Sequence, residues 1–148
     1  MRRIRAHFAT IEREVPTYRC RTLELDGFSA EGGELVACYA GDQLRKLTAR
    51  YYGESGRAEE QFFVWNQQLE FVFRTDDTYT EPLSGRVQHR AEERSYFVDG
   101  KLVRWLGPGN VPRAVESAEA QEAATGHLTI ARHFAACALD ANATRCAA

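Results

Sequence analysis

Three stretches of similar pattern decide the fold of this chain, and each ends on a leucine. They are Glu34–Leu44, ELVACYAGDQL; Glu59–Leu69, EEQFFVWNQQL; and Glu92–Leu102, EERSYFVDGKL. In each, a glutamate opens an aromatic-rich run, and a two-residue turn precedes the leucine. The turn pairs are Gly41-Asp42, Asn66-Gln67 and Asp99-Gly100. Such pairs tolerate the positive φ of a tight turn between antiparallel strands. The repeat therefore predicts three β-hairpins in one antiparallel meander.

Composition indicates an ordinary globular protein. With 148 residues, 44% hydrophobic and 27% charged, the chain is expected to form a single domain, 1–148, with a real core. A net charge of −2 and a pI near 6.1 give no basic footprint, so no nucleic-acid partner is predicted. No apolar run approaches the roughly 20 residues of a membrane span, so membrane insertion is not predicted either.

Helical patterns flank the repeats. Ile4, Phe8 and Ile11 recur at helical spacing, which predicts a helix over 3–14 that ends before Pro16. The antiparallel sheet is predicted over 17–107, with a long polar connection at 75–91. An alanine-rich region over 113–141 is predicted to be helical, either as one helix broken near Gly126 or as two.

The alternation of side chains predicts which face of the sheet each residue occupies. In the second hairpin Phe62 opposes Phe71 on the core face. In the third, Phe97 and Leu102 share one face while Tyr96, Val103 and Trp105 share the other. The fold class is therefore α+β, an antiparallel meander of about six to eight strands packed by N- and C-terminal helices. Both helices are expected on one face, lined by Leu23, Leu44, Phe62, Phe71 and Leu102.

The four cysteines predict two disulfides. Aligning Leu23 with Leu35 sets Cys20 opposite Cys38 on neighbouring strands, and Cys146 is close enough in sequence to fold back on Cys137. Free buried thiols are the alternative. No C-x-x-C pair occurs, and His133 is the only histidine near a cysteine, so no metal site is predicted.

No catalytic motif is present, so the chain is predicted not to be an enzyme and to need no cofactor. His89 and His133 have no partner evident in the sequence. The feature that indicates a function is a set of aromatic and arginine residues of the kind favoured at protein interfaces. The candidate protein-binding residues are Phe63, Arg94, Tyr96, Arg104 and Trp105. The alternative is that the helices cover them.

The third repeat carries a family resemblance. Tyr96-Phe97-Val98-Asp99-Gly100-Lys101-Leu102 resembles the aromatic–turn–Gly-Lys-Leu hairpin of bacterial MORN-like repeat proteins. A helix, a meander and a closing helix also resemble the layout of small bacterial envelope proteins. These resemblances imply a meander fold and supply no catalytic residues.

Two functions are consistent with these patterns. The first is a bacterial envelope or secreted protein, periplasmic or extracellular, that binds another protein as an inhibitor or immunity partner does. The basic start Met1–Phe8 has no apolar segment after it, so a signal peptide is not expected within this chain. The alternative is a cytoplasmic domain that binds or converts a small molecule between sheet and helices. A deep cavity lined by His89 or His133 with an acid would favour the second function, and a filled core with an exposed aromatic face would favour the first.

Overall fold

The protein is a nine-stranded sheet with one long helix on each face, and the structure, a computed structural model, describes all of residues 1–148. The strands lie in the order β8-β7-β6-β5-β4-β3-β2-β1-β9, and all neighbours are antiparallel except β1 and β9. The helices are α1, Arg2–Glu14, and α2, Ala118–Leu139. The strands are β1 Arg19–Asp26, β2 Gly33–Ala40, β3 Gln43–Tyr52, β4 Gly56–Trp65, β5 Gln68–Tyr79, β6 Val87–Val98, β7 Lys101–Gly107, β8 Val111–Arg113 and β9 Arg145–Ala147.

The α+β meander predicted from the repeat is confirmed. All three turn pairs lie between consecutive strands, and Asn66-Gln67 and Asp99-Gly100 have positive φ at both residues. The strand count reaches nine because two three-residue strands, β8 and β9, lie at the edges of the sheet. The connection predicted over 75–91 is mostly strand, since β5 runs to Tyr79 and β6 begins at Val87.

Each of the three hairpins contains a β-bulge at the same repeat position. Tyr39 pairs with Leu44, but the next pair is Cys38 with Lys46. The same shift of one residue recurs after Val64–Leu69 and after Phe97–Leu102. A bulge adds one unpaired residue and changes which face the following residues occupy. The extra residues are Arg45, Glu70 and Val103.

These bulges overturn the prediction that both helices pack on one face. Phe62 pairs with Val72 and lies in the core under α2, whereas Phe63 pairs with Phe71 and packs against α1. The two helices therefore cover opposite faces, and Phe71 lies on the α1 face. Trp105 was also expected on the face of Tyr96. The third bulge instead pairs it with Ser95 and buries it on the α2 face.

The larger part of the core lies between α2 and the sheet. Helix α2 begins after the N-cap Ser117, whose hydroxyl accepts a hydrogen bond from the Ala120 amide, and it continues unbroken through Gly126. Small side chains let the helix approach the strands closely. Its buried stripe is Ala120, Ala124, His127, Ala131, Phe134 and Ala138. The strands contribute Leu23, Leu35, Leu47, Phe62, Val72 and Phe97.

Helix α1 packs on the other face with a smaller apolar stripe. Ile4 and Ile11 are buried against Phe63 and Phe71, and Phe8 lies edge-on to both rings. Most of this face of the sheet has no helix over it. On this uncovered part, charged and polar residues of β2 to β6 form a surface cleft.

Both predicted disulfides are present. Cys20–Cys38 joins β1 to β2, and Cys137–Cys146 joins α2 to β9. No cysteine is free. Paired cysteines of this kind favour an oxidising environment. Neither helix is both long and apolar enough to cross a membrane.

Candidate functional site

One row of side chains crosses the α1 face of the sheet at the level of the three bulges. It follows the pairings Cys38–Lys46, Lys46–Phe63, Phe63–Phe71, Phe71–Tyr96 and Tyr96–Arg104. We call these residues the bulge row. Because paired residues on neighbouring strands point to the same face, the row is one continuous surface.

Helix α1 covers only the middle of the bulge row. Glu12 of α1 accepts a hydrogen bond from Lys46 Nζ at 2.8 Å, and the Phe8 ring centre lies 4.9 Å from that of Phe63 and 5.5 Å from that of Phe71. These contacts fix the helix across β3, β4 and β5.

The unpaired bulge residues also hold α1. Glu70 lies 2.6 Å from His7 Nδ1, and the imidazole of His7 stacks on Trp65 with ring centres 4.0 Å apart. The guanidinium of Arg45 lies 4.0 Å from the centre of the same indole. The extra residues of the first two hairpins, Arg45 and Glu70, therefore lie where α1 contacts the sheet.

The end of the bulge row on the third hairpin is left uncovered. Tyr96 is half-buried beside Phe71, and the exposed Arg104 lies over its ring at 5.9 Å. Two residues before Tyr96 on β6, Arg94 lies 4.7 Å over the ring of Phe73. Two aromatic rings, each with a guanidinium over it, therefore lie side by side next to α1.

A groove of about 450 Å³ lies between α1 and these residues. We call it the aromatic groove. Its helix side is formed by Ile4, Arg5, Phe8 and Glu12, and its sheet side by Gln61, Phe71, Phe73, Arg94 and Tyr96. An apolar floor between charged rims suits a side chain or segment with both apolar and charged groups.

Several cations in and beside the aromatic groove form no ion pair with an acid of the protein. Arg5 and Arg104 are exposed and form no ion pair, and the same is true of Arg2 and Arg3 at the start of α1. Arg94 lies 3.7 Å from Glu92 and donates a hydrogen bond to Asn110 Oδ1 at 2.9 Å. The local charge is therefore positive although the whole chain is slightly negative.

Beyond the groove, the same face carries an array of ion pairs that neutralise one another. Arg50 bridges Glu34 at 2.7 Å and Glu59 at 2.9 Å. Asp77 accepts hydrogen bonds from Arg90 at 2.7 Å and Arg57 at 3.1 Å. The hydrogen bond from Arg90, with that from Arg57, holds the pKa of Asp77 below its usual value. Each arginine here already has a partner, so this array attracts a charged ligand less than the groove does.

A buried polar network lies on the opposite face, under α2. Tyr51 donates to Glu60 at 2.7 Å, Arg74 lies 3.2 Å from the same carboxylate, and His127 Nδ1 lies 3.7 Å from it. Burial raises the pKa of Tyr51, and burial lowers the pKa of His127. Glu60 and His127 are both buried, and neither lines any of the five clefts described for this protein.

The predicted binding residues separate into three groups. Arg94 and Tyr96 line the aromatic groove, and Arg104 lies beside it, 5.9 Å from the Tyr96 ring. Phe63 is on the same face but is buried under α1 with 2% of its surface exposed. Trp105 is on the opposite face, where its Nε1 donates to Glu93 at 3.1 Å. The groove residues Phe73, Phe8 and Arg5 were not predicted, because they come from β5 and α1.

The two histidines singled out in the sequence have no acidic partner. His89 is exposed on β6. His133 lies on α2 with its Nε2 2.7 Å from the Ala147 carbonyl oxygen and 3.9 Å from Cys137 Sγ. It thus lies beside Cys137 and Cys146, whose sulfur atoms are joined to each other.

In comparisons with protein-family models, curated proteins and solved structures, this chain matches none of them. Its function is therefore inferred from the geometry described above.

Proposed function

We propose that this protein acts by binding another protein through the aromatic groove, as an inhibitor or immunity partner does, without catalysing a reaction. The observation that carries the proposal is the pair of ring–guanidinium contacts, Phe73–Arg94 and Tyr96–Arg104, left uncovered beside α1. Tyrosine, phenylalanine and arginine are enriched where proteins meet, because they bury a large area and still form directed polar contacts.

The rest of the molecule supports a binding role over a small-molecule pocket between sheet and helix. The sheet under the centre of α2 is filled, since Leu35, Leu47 and Phe62 are fully buried there. A cleft of about 510 Å³ lies beside α2 near Leu44 and Leu139, and neither His89 nor His133 lines it. Its polar network is closed, and His89 and His133 are exposed rather than placed in a cavity with an acid. A filled core with an exposed aromatic face is the arrangement expected of the first function.

We further propose that the protein works in the periplasm or outside the cell. Two disulfides in a chain of this size are kept in oxidising compartments, whereas cytoplasmic thiols are held reduced. The proposal is tested by alkylating the protein as isolated from its native host and measuring its intact mass. Two disulfides support an oxidising compartment, and four alkylated thiols contradict it.

Site-specific photo-crosslinking tests the binding role. A photoreactive phenylalanine analogue replaces Tyr96 in one variant and Phe73 in another, and the protein is expressed in its native host. We expect both variants to crosslink to the same partner protein. The matched control places the analogue at Leu139, which is 79% exposed at the end of α2 on the opposite face.

The proposal also requires that the crosslink depends on the charge at the groove. Adding Arg94→Glu to the Phe73 variant should weaken the crosslink, since it reverses the charge over that ring. Equal crosslinking from Leu139, or no crosslinked protein from either groove position, would contradict the proposal.

A further inference from the structure

We infer that the partner segment taken by the aromatic groove is an acidic amphipathic helix, which docks beside α1 in the way that α1 docks on its own hairpins. This inference rests on the proposed function and adds the chemistry of the partner. It follows from the repeat, the contacts of α1 and the charge at the rim.

The repeat makes the covered and uncovered parts of the bulge row equivalent. Phe63 and Tyr96 lie six residues before the leucines of the second and third repeats, and Phe71 and Arg104 lie two residues after them. Both pairs, Phe63–Phe71 and Tyr96–Arg104, directly follow the bulge in their hairpin. The third hairpin therefore offers the same kind of platform that the second offers to α1, and nothing occupies it.

The contacts of α1 show what such a platform binds. Phe8 of α1 rests on the aromatic pair, and Glu12, one helical turn later, pairs with Lys46 at 2.8 Å. Lys46 and Arg104 lie at the same position of the first and third repeats, two residues after the leucine. A second helix that crosses the sheet from β6 to β7, opposite in direction to α1, would place an aromatic or aliphatic residue on Tyr96. An acid four residues later would then reach Arg104.

Charge complementarity makes the occupant acidic. Arg5 on α1 lines the groove, and Arg104 on β7 lies 5.9 Å from the ring of Tyr96, which also lines it. Neither arginine forms an ion pair with an acid of the protein, and Arg2 and Arg3 add two more exposed cations at the start of α1. This field also argues against α1 of a second copy as the occupant, because that helix begins with Arg2, Arg3 and Arg5 and would be repelled.

The shape of the site favours a protein segment over a polyanion. The groove of about 450 Å³ is concave with an apolar floor, which takes side chains, whereas a phosphate backbone or a lipid surface needs an extended array of cations. The array next to the groove has its arginines already paired with acids, as Arg50 is with Glu34 and Glu59.

The test uses two synthetic helical peptides and the full-length oxidised protein. Each peptide is alanine-based, with about 18 residues so that a helix forms. One carries repeated Phe-x-x-x-Glu pairs, and its twin has lysine in place of each glutamate. We expect the glutamate peptide to bind in fluorescence anisotropy at least about tenfold more tightly than the lysine peptide, as for a charge-assisted hydrogen bond.

A charge swap identifies the site of binding. Arg104→Glu should abolish the preference for the glutamate peptide and improve binding of the lysine peptide, whereas Arg132→Glu should change neither. Arg132 is a matched control because it is an exposed arginine on α2, on the opposite face. Equal binding of both peptides, or a preference that Arg104→Glu leaves intact, would overturn the inference.

Two further outcomes separate the inference from the proposed function. If photo-crosslinking at Tyr96 captures a partner whose crosslinked segment is basic or non-helical, the groove is a binding site and the inference is wrong. If vesicles of anionic phospholipid bind in a manner that Arg104→Glu abolishes while the glutamate peptide does not bind, the occupant is a membrane surface and the inference is again overturned.

Discussion

Arg21 shows how a single side chain joins distant parts of this chain. Its guanidinium donates hydrogen bonds to the carbonyl oxygen atoms of Ala138 at 2.7 Å and Asp140 at 2.6 Å, and also to that of Ala143. The last carbonyl groups of a helix have no partner within the helix. An arginine on β1 therefore satisfies the end of α2 and fixes the helix to the edge of the sheet.

We predict that Arg21→Ala lowers the free energy of unfolding by about 2–3 kcal/mol, the range for hydrogen bonds from a charged donor. Arg21→Lys should recover only part of the loss, because one ammonium group does not match several carbonyls in a fork. Urea unfolding measures both, with Arg132→Ala as the exposed control. A cost below about 0.5 kcal/mol, the level of ordinary surface substitutions, would show that the contacts do not hold the helix.

His127 makes stability depend on pH. Burial lowers its pKa in the folded protein, so the folded state resists a proton that the unfolded state takes up near pH 6.5. Lowering the pH from 7.5 through 6.5 therefore destabilises the fold, until the pH falls below the folded pKa. Glu60, Glu93 and Arg74 are the charged groups that act on it.

We predict that His127→Gln reduces this loss. Between pH 7.5 and 5.5 the variant should lose less free energy of unfolding than the parent, by at most about 1.4 kcal/mol per pH unit, the limit for one proton. Chemical unfolding at several pH values gives the comparison. Identical slopes for the two proteins would mean that the buried imidazole does not carry the effect.

At the scale of the elements, the turns of the meander differ in how well their residues suit them. Asn66-Gln67 and Asp99-Gly100 both have two residues with positive φ, yet only the second pair has a glycine. Gln67 has φ 65°, where a side chain meets the carbonyl of its own backbone at a cost of about 1–2 kcal/mol. The second hairpin therefore stores strain that the third does not.

We predict that Gln67→Gly stabilises the protein by about 0.5–1 kcal/mol, since the relief of strain exceeds the loss of chain entropy. The reciprocal variant, Gly100→Ala, should destabilise it by about 1 kcal/mol, because Gly100 has φ 76°. Thermal unfolding of the two variants side by side gives the signs. Destabilisation by Gln67→Gly would contradict this account of the turn.

The sequence predicted the positions of the strands and helices, but it did not predict correctly which face of the sheet each side chain occupies. Turn residues and alternation locate the hairpins, but alternation assumes a period of two residues, and each bulge interrupts it. A signal was present: after each repeat leucine the next core residue comes three positions later, as in Leu69–Val72 and Leu102–Trp105. Two consecutive residues, such as Glu70 and Phe71, then point to the α1 face. For this reason the sequence analysis assigned Phe71 and Trp105 to the wrong face of the sheet.

Only some of the residues of the aromatic groove could be predicted from the sequence. Arg94, Tyr96 and Arg104 lie within one hairpin and are close in sequence, so their type and spacing indicated a surface. Phe8 and Phe73 reach the groove through the docking of α1, which depends on long-range packing that no local pattern contains.

At the scale of the whole molecule, the sheet separates two surfaces with different roles. The α2 face supplies most of the core, and a buried polar network around Glu60 lies within it. The α1 face is half open and carries the groove. The proposed binding surface and the larger core therefore lie on opposite sides of one layer, so that changes at Arg94 or Arg104 leave the larger core intact.

The two disulfides act on this architecture at different scales, and we predict unequal effects from removing them. Cys20–Cys38 closes a loop with a sequence separation of 18 between two long strands, and the loop-entropy model gives it about 3 kcal/mol. Cys20→Ala with Cys38→Ala should therefore lower the global free energy of unfolding by about that amount. Cys137–Cys146 has a separation of 9 and holds β9, which pairs with β1 over only three residues.

Because β9 can detach while the sheet stays folded, the second disulfide restrains the tail more than the domain. Cys137→Ala with Cys146→Ala should increase hydrogen exchange at β9 and at the end of α2, with a smaller change in the midpoint of global unfolding. Urea unfolding and exchange measured on both double variants separate the two effects. The prediction is wrong if removing the second disulfide lowers the global free energy of unfolding as much as removing the first. In that case β9 unfolds together with the rest of the sheet.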